Sequence, residues 1–330
     1  MNQYFLIIIC AIVLAWQAIF FKMFSTEYRR GFASHFLNNV FFLGIVVLFL
    51  LAINGFSLAE NPETYIYSSV FGVVWVITMF FYIKAMGMGP TGLVTLFFSF
   101  GIVLPIIVDM TVLNTMITVF QVVGLALLFL SFYIGNRPLG DEKKNISPQF
   151  IATCTASFVF NGLIMATVKL HQGAMPGTDT RVFVLYGFTV AVLVSAICFA
   201  FFHIKQLRQA GQSGQSVQSV QAGQSGQPVQ AGQSGQPGQP ENEKVSYLYM
   251  FKSPRYYITV AGGSVTTAIG NMMMLLIASQ VPAAIQFPLM NGGSSLVAAI
   301  LSIFIFKERL SKRMALVFIV GIAALAIINL

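Results

Sequence analysis

Two long apolar runs flank one short charged knot at the C-terminal end of the sequence, and few architectures accommodate that pattern. The run FPLMNGGSSLVAAILSIFIF ends at Phe306, KERLSKR fills Lys307–Arg313, and MALVFIVGIAALAIINL follows to Leu330. An α-helix rises about 1.5 Å per residue, so about 20 apolar residues cross the hydrocarbon core of a bilayer. Two such runs around about one turn of charge predict a helical hairpin in a membrane.

The rest of the chain repeats the theme. Apolar segments of spanning length fall at approximately 4–21, 33–53, 65–86, 91–109, 117–136, 149–171, 181–203, 255–279, 282–305 and 313–330. Polar breaks separate them: Glu60 to Glu63, the Gly87-Met88-Gly89-Pro90 turn, Asn136 to Pro148, and Pro282 at the start of the ninth. Only 8% of residues are charged, against roughly 25% in soluble domains. A barrel would show short alternating strands instead of these long runs. The expected fold class is therefore an all-α integral membrane protein with ten transmembrane helices. The N-terminal run lacks a basic leader and a small-residue cleavage site, so it reads as the first span and not as a signal peptide.

One long polar stretch interrupts the series. Gln209 to Pro240 carries AGQSGQ three times, from Ala210, Ala222 and Ala231, and no charge. Such a composition cannot bury enough apolar area to offset chain entropy, which predicts a disordered cytoplasmic loop at about 206–245. The net charge of +8 does not call for nucleic acid. Sixteen of the 18 basic residues fall in loops after odd-numbered spans, leaving Lys169 and Arg181 on the other side. By the positive-inside rule the odd loops are cytoplasmic and both termini lie outside, in a multi-pass plasma (inner) membrane protein. Cys10, Cys154 and Cys198 lie in apolar runs with no metal-binding or paired spacing, and read as packing residues.

The charge bias also suggests a repeat. Basic residues follow the first and third spans of helices 1–5, but mostly the second and fourth of helices 6–10, as two oppositely inserted copies require. Lys22 and Lys169 each end the first helix of a half. AMGMGPTGLVTLFFSFG (Ala85–Gly101) aligns loosely with ASQVPAAIQFPLMNGG (Ala278–Gly293), and QVVG (Gln121–Gly124) with FIVG (Phe318–Gly321). The expected units are two inverted five-helix repeats at 1–140 and 141–330. Inverted repeats mark secondary transporters, whose sites lie near the midplane between the halves.

Phe306-Lys307-Glu308-Arg309-Leu310-Ser311, the small-residue helix before it and Gly321 after it resemble the charged "GERL" stretch and glycine-bearing last helix of the drug/metabolite transporter superfamily. With the tight Gly87–Gly92 turn and the ten-helix count, the chain resembles the EamA-like branch of that superfamily. The matching stretch after helix 4 is replaced by Thr111-Val112-Leu113-Asn114, so the first half is a divergent copy. The resemblance implies export or exchange of small metabolites or drugs, with no cofactor. The expected partners are a small-molecule substrate and the lipid bilayer; a homodimer is left open.

Polar groups inside a membrane are costly and so become candidates for function. Asn161, Asn271, Gln286 and Asn291 lie within predicted helices 6, 8 and 9, and Trp16, Gln17, Trp75 and Lys84 within or at the ends of helices 1 and 3. These eight are the candidate substrate-binding residues. Each amide could equally bond a neighbouring helix, each tryptophan could pack, and Lys84 could reach the surface. Gly89, Pro90, Pro105, Pro282 and Pro288 are candidate hinges, because glycine and proline interrupt the helix ladder. No acid occupies the middle of a predicted helix; Asp109 and Glu308 sit at helix ends. Proton exchange through a buried carboxylate is accordingly not expected. His35, His171 and His203 are isolated in sequence, which argues against an enzyme. A scaffold acting through the Gln-rich loop is the alternative.

Overall fold

Serine and proline set where several helices begin. Ser147 Oγ accepts the Phe150 amide at 3.1 Å while Pro148 occupies the first turn, where a missing N–H costs nothing. Pro254 and Pro282 likewise stand at helix starts. The architecture was obtained as a computed structural model, which describes residues 3–27, 31–88, 98, 100–136, 147–222, 251–306 and 312–328.

Every regular element among the described residues is helical. The first three helices are α1 (Gln3–Glu27), α2 (Gly31–Asn54) and α3 (Glu63–Met88). A 3₁₀ turn, Phe100–Ile102, leads into α4 (Val103–Thr111), and α5 (Val119–Asn136) follows. Then come α6 (Pro148–Ala174), α7 (Thr180–Ala222) and α8 (Pro254–Ala278). The ninth rod, α9, is built from Ala283–Phe287, a π-helical turn at Pro288–Gly292, and Gly293–Phe306; α10 is Lys312–Ile328.

Among the described residues, six helices are long and apolar enough to cross a membrane: Gln3–Phe21, Ala33–Asn54, Glu63–Tyr82, Pro148–Ala174, Thr180–Arg208 and Pro254–Ala278. Phe100–Thr111, Val119–Ser131 and Ile319–Ile328 are shorter apolar helices. The protein is thus an all-α, multi-pass membrane protein.

One expectation needs correction. Disorder was predicted from about residue 206, yet α7 continues as helix to Ala222. Gln and Ala have good helix propensity, and extending an existing helix needs no new nucleus. Residues 223–245 lie outside the described residues.

The most extensive helix pairings are α1 with α8 and α9, α2 with α7 and α8, α3 with α6 and α7, α4 with α6, and α5 with α10. Moving every helix five places along or back returns the same set of pairs. Close crossings rely on small residues. A β-carbon on Gly72 of α3 would lie 2.3 Å from the Gly187 carbonyl of α7, and one on Gly124 of α5 would lie 2.9 Å from the Ala324 carbonyl of α10. In a bilayer, where lipid is as apolar as leucine, such close backbone contact is a main source of helix association. Between these crossings lies a buried core that includes Phe71, Phe183, Phe188 and Phe287.

Candidate functional site

The strongest polar constellation lies where α4, α6, α8 and α9 meet, and its parts come from helix ends. α8 ends at Ala278 and α9 begins after Pro282. The turn between them leaves carbonyls at the negative end of one helix dipole and amides at the positive end of the next. Lys169 of α6 takes the first set: its Nζ donates to the Ala278 and Val281 carbonyls, both at 2.9 Å. Asp109 of α4 takes the second, accepting the Ala283 amide at Oδ2. The two side chains then pair with each other, Nζ to Oδ1 at 3.3 Å. Asp109 is 3% exposed and Lys169 4%, so each charge has exchanged water for a fixed set of partners. A buried ion requires such compensation, because desolvation costs several kcal/mol per charge.

Local backbone geometry presents Asp109 correctly. Asn114 adopts a left-handed conformation (φ 52°) just beyond α4, a region Asn tolerates better than most residues. The reversal brings the Thr115 amide back to the Asp109 carbonyl at 3.0 Å. A cavity of about 300 Å³ opens against the pair, lined also by Thr115, Gln172, Gln280 and Pro282.

Beside the cavity runs a hydrogen-bond chain. Gln172 Nε2 lies 2.8 Å from His171 Nδ1, and His171 Nε2 lies 3.1 Å from Thr64 Oγ1. Gln172 can only donate there, which puts the imidazole proton on Nε2. Thr64 then donates to Asp179 Oδ2 at 3.0 Å, and Gln172 Oε1 accepts the Gly177 amide at 3.0 Å. Asp179 also accepts the Glu60 and Asn61 amides, each at 2.9 Å. Partial burial acts to raise the Asp179 carboxyl, but the Asn61 and Glu60 amides, Thr64 and the Asn61 side chain together hold it below its usual range.

The predicted amides are drawn into two groups. Gln17 Nε2 donates to Thr267 Oγ1 at 2.6 Å, and Asn271 Nδ2 to the Thr267 carbonyl at 2.9 Å. Gln286 is fully buried and donates to the Met274 carbonyl at 2.7 Å. Thr267, Asn271 and Met274 are three or four residues apart, so they form one stripe on α8. In the second group, Asn161 Nδ2 donates to the Phe98 carbonyl at 2.8 Å, and Asn291 Nδ2 lies 3.7 Å from Met165 Sδ. Gln286 Oε1 is buried with no hydrogen-bond partner among the described residues.

Other candidates fall elsewhere. Trp16 is 38% exposed on the outer side of α1, beside Phe20, and does not join the buried polar groups. Its neighbour Gln17 turns inward, because adjacent helix residues point about 100° apart. Trp75 is buried and packs edge-on against Phe188, with centroids 5.2 Å apart. Lys84 is partly buried near the end of α3. Gly89 and Pro90 lie outside the described residues. Pro105 occupies the first turn of α4, where it is tolerated, so the break lies before it in the 3₁₀ turn. Pro282 precedes α9, and Pro288 opens the π turn.

The pairing of Asp109 with Lys169 was not anticipated: Asp109 does sit at a helix end, as expected, yet it is buried there. A helix-end acid is buried when neighbouring termini cap it. A signal was present: Lys169 stands among few basic residues on its side, with Asp109 ending a helix on that same side.

No family model matches the sequence, and no curated protein does. A solved structure described only as the crystal structure of a protein is similar in fold. It has a TM-score of 0.64 and 14% identity, covering 98% of this chain and 96% of that one.

Proposed function

We propose that this protein is a secondary transporter of small metabolites or drugs, an exporter or exchanger of the drug/metabolite transporter type working by alternating access. The observation that carries the reading is the set of helix pairs, which is unchanged when each helix is replaced by the one five places away. Five is odd, so two five-helix units joined in sequence enter a bilayer in opposite senses. Units 1–140 and 141–330 then form ten spans, with both termini outside the plasma membrane as the basic loops favour. Transporters of this plan place their substrate between the halves. The amides meeting there from α1, α6, α8 and α9 would line the route, Gln286 offering an unused acceptor.

The test is comparative metabolite profiling of medium and cytosol in cells lacking or overproducing the protein. A solute that accumulates inside on loss and outside on overproduction is expected. If no solute shifts reciprocally, export is ruled out as the activity.

A further inference from the structure

The Asp109–Lys169 pair does more than neutralise two charges, because its partners belong to four separate elements. Asp109 lies in the last turn of α4, Lys169 lies on α6, the Ala278 carbonyl closes α8 and the Ala283 amide opens α9. An ammonium has three N–H groups. The two carbonyls and Asp109 account for all three, so nothing remains in this arrangement for a ligand to claim.

The element that Asp109 holds through the Ala283 amide is short and ends at an interruption of the helix. Ala283–Phe287 is only five residues long, and the π turn Pro288–Gly292 joins it to the rest of α9. Pro288 contributes no N–H to the ladder, and π turns interrupt regular helices frequently at functional positions. Gln286 lies one helical turn beyond Ala283, fully buried with its unused acceptor. The cavity of about 300 Å³ reaches the pair from the α4 and α8–α9 turns. We infer that Asp109 and Lys169 are a latch closing this end of the bundle. Parting them frees Ala283–Phe287 to swing about the π turn and opens a water path from the cavity to Gln286.

This inference rests on the alternating-access reading for its purpose, but its test requires no solute. A reporter, Ala283→Cys, is placed in a chain carrying Cys10→Ala, Cys154→Ala and Cys198→Ala. Its labelling by a membrane-impermeant maleimide is then timed in proteoliposomes. Ala283 is fully buried, so labelling with the pair intact should be slow. Minor conformers commonly hold 0.1–10% of a population, so making the open state dominant should speed labelling by about tenfold or more. The neutral double variant Asp109→Asn/Lys169→Gln should show that acceleration, and equal rates would overturn the latch. If the neutral variant does not insert, Asp109→Asn alone decides: its amide oxygen can still accept from the Ala283 N–H, while the charge facing Lys169 is gone. Faster labelling of this variant supports a latch held by charge attraction, and labelling as slow as with the pair intact contradicts it. Either result leaves the profiling experiment unaffected, so failure of the latch and failure of the transport reading are distinguishable.

Discussion

Lys169 Nζ and Asp109 Oδ1 lie 3.3 Å apart, on side chains separated by sixty positions and buried where four helices meet. Breaking a buried pair from one side strands the other charge, which costs about 3–5 kcal/mol. Asp109→Asn and Lys169→Gln should each destabilise the protein by about that much. The double variant should lose less than the sum of the two. Denaturation of the purified protein in detergent gives all three values. Simple additivity would mean that the side chains do not interact.

The crossing of α3 and α7 should resist even one added methyl group. A β-carbon at Gly72 meets backbone, the Gly187 carbonyl at 2.3 Å, and backbone cannot rotate aside. Gly72→Ala should cost about 1–3 kcal/mol, the usual range for overpacking. Gly44, where a β-carbon would meet nothing within 4 Å, is the control. Gly44→Ala should leave the melting temperature unchanged or raise it slightly.

Asp179 predicts an acid-dependent loss of stability. Its carboxyl titrates below the ordinary value of 3.8 in the folded protein. The unfolded chain therefore takes up the proton first, and stability falls as pH drops through the region below about 4. The contribution is fully present above that range. Asp179→Ala should lower the melting temperature at neutral pH and flatten the acid limb of its pH profile. An unchanged acid limb would remove Asp179 as its source.

Gln286 should matter for a solute more than for the fold. Once profiling identifies a solute, Gln286→Leu should weaken its half-saturation roughly tenfold, as expected for one lost hydrogen bond of about 1 kcal/mol or slightly more. Trp16→Leu, altering a side chain on the outer side of α1, should leave half-saturation unchanged. Equal effects from both substitutions would move the site away from Gln286.

Much of the scaffold was legible in the sequence because membrane spans announce themselves by length and apolarity. Helices expected from about 65, 149 and 282 begin at Glu63, Pro148 and Ala283, each within two residues. Which side of each helix faces a neighbour was not legible. A helix apolar all round has no amphipathic stripe to separate lipid from protein, so Trp16 and Gln17 looked alike although only Gln17 turns inward. The Asp109–Lys169 pair was hidden for a different reason. Its stability depends on helix-end carbonyls and amides from the Ala278–Ala283 turn, and backbone groups leave no signature in residue identity. The extension of α7 to Ala222 reflects propagation from a helix already formed, a nonlocal effect that composition understates.

The most direct test of transport uses the purified protein in liposomes loaded with a cell-metabolite extract. Solutes appearing in the external buffer are identified by mass spectrometry and compared with protein-free vesicles. At least one small polar or amphipathic solute should cross only where the protein is present. Its movement should accelerate when the same solute is supplied on the opposite side. Identical solute profiles with and without protein would contradict the account.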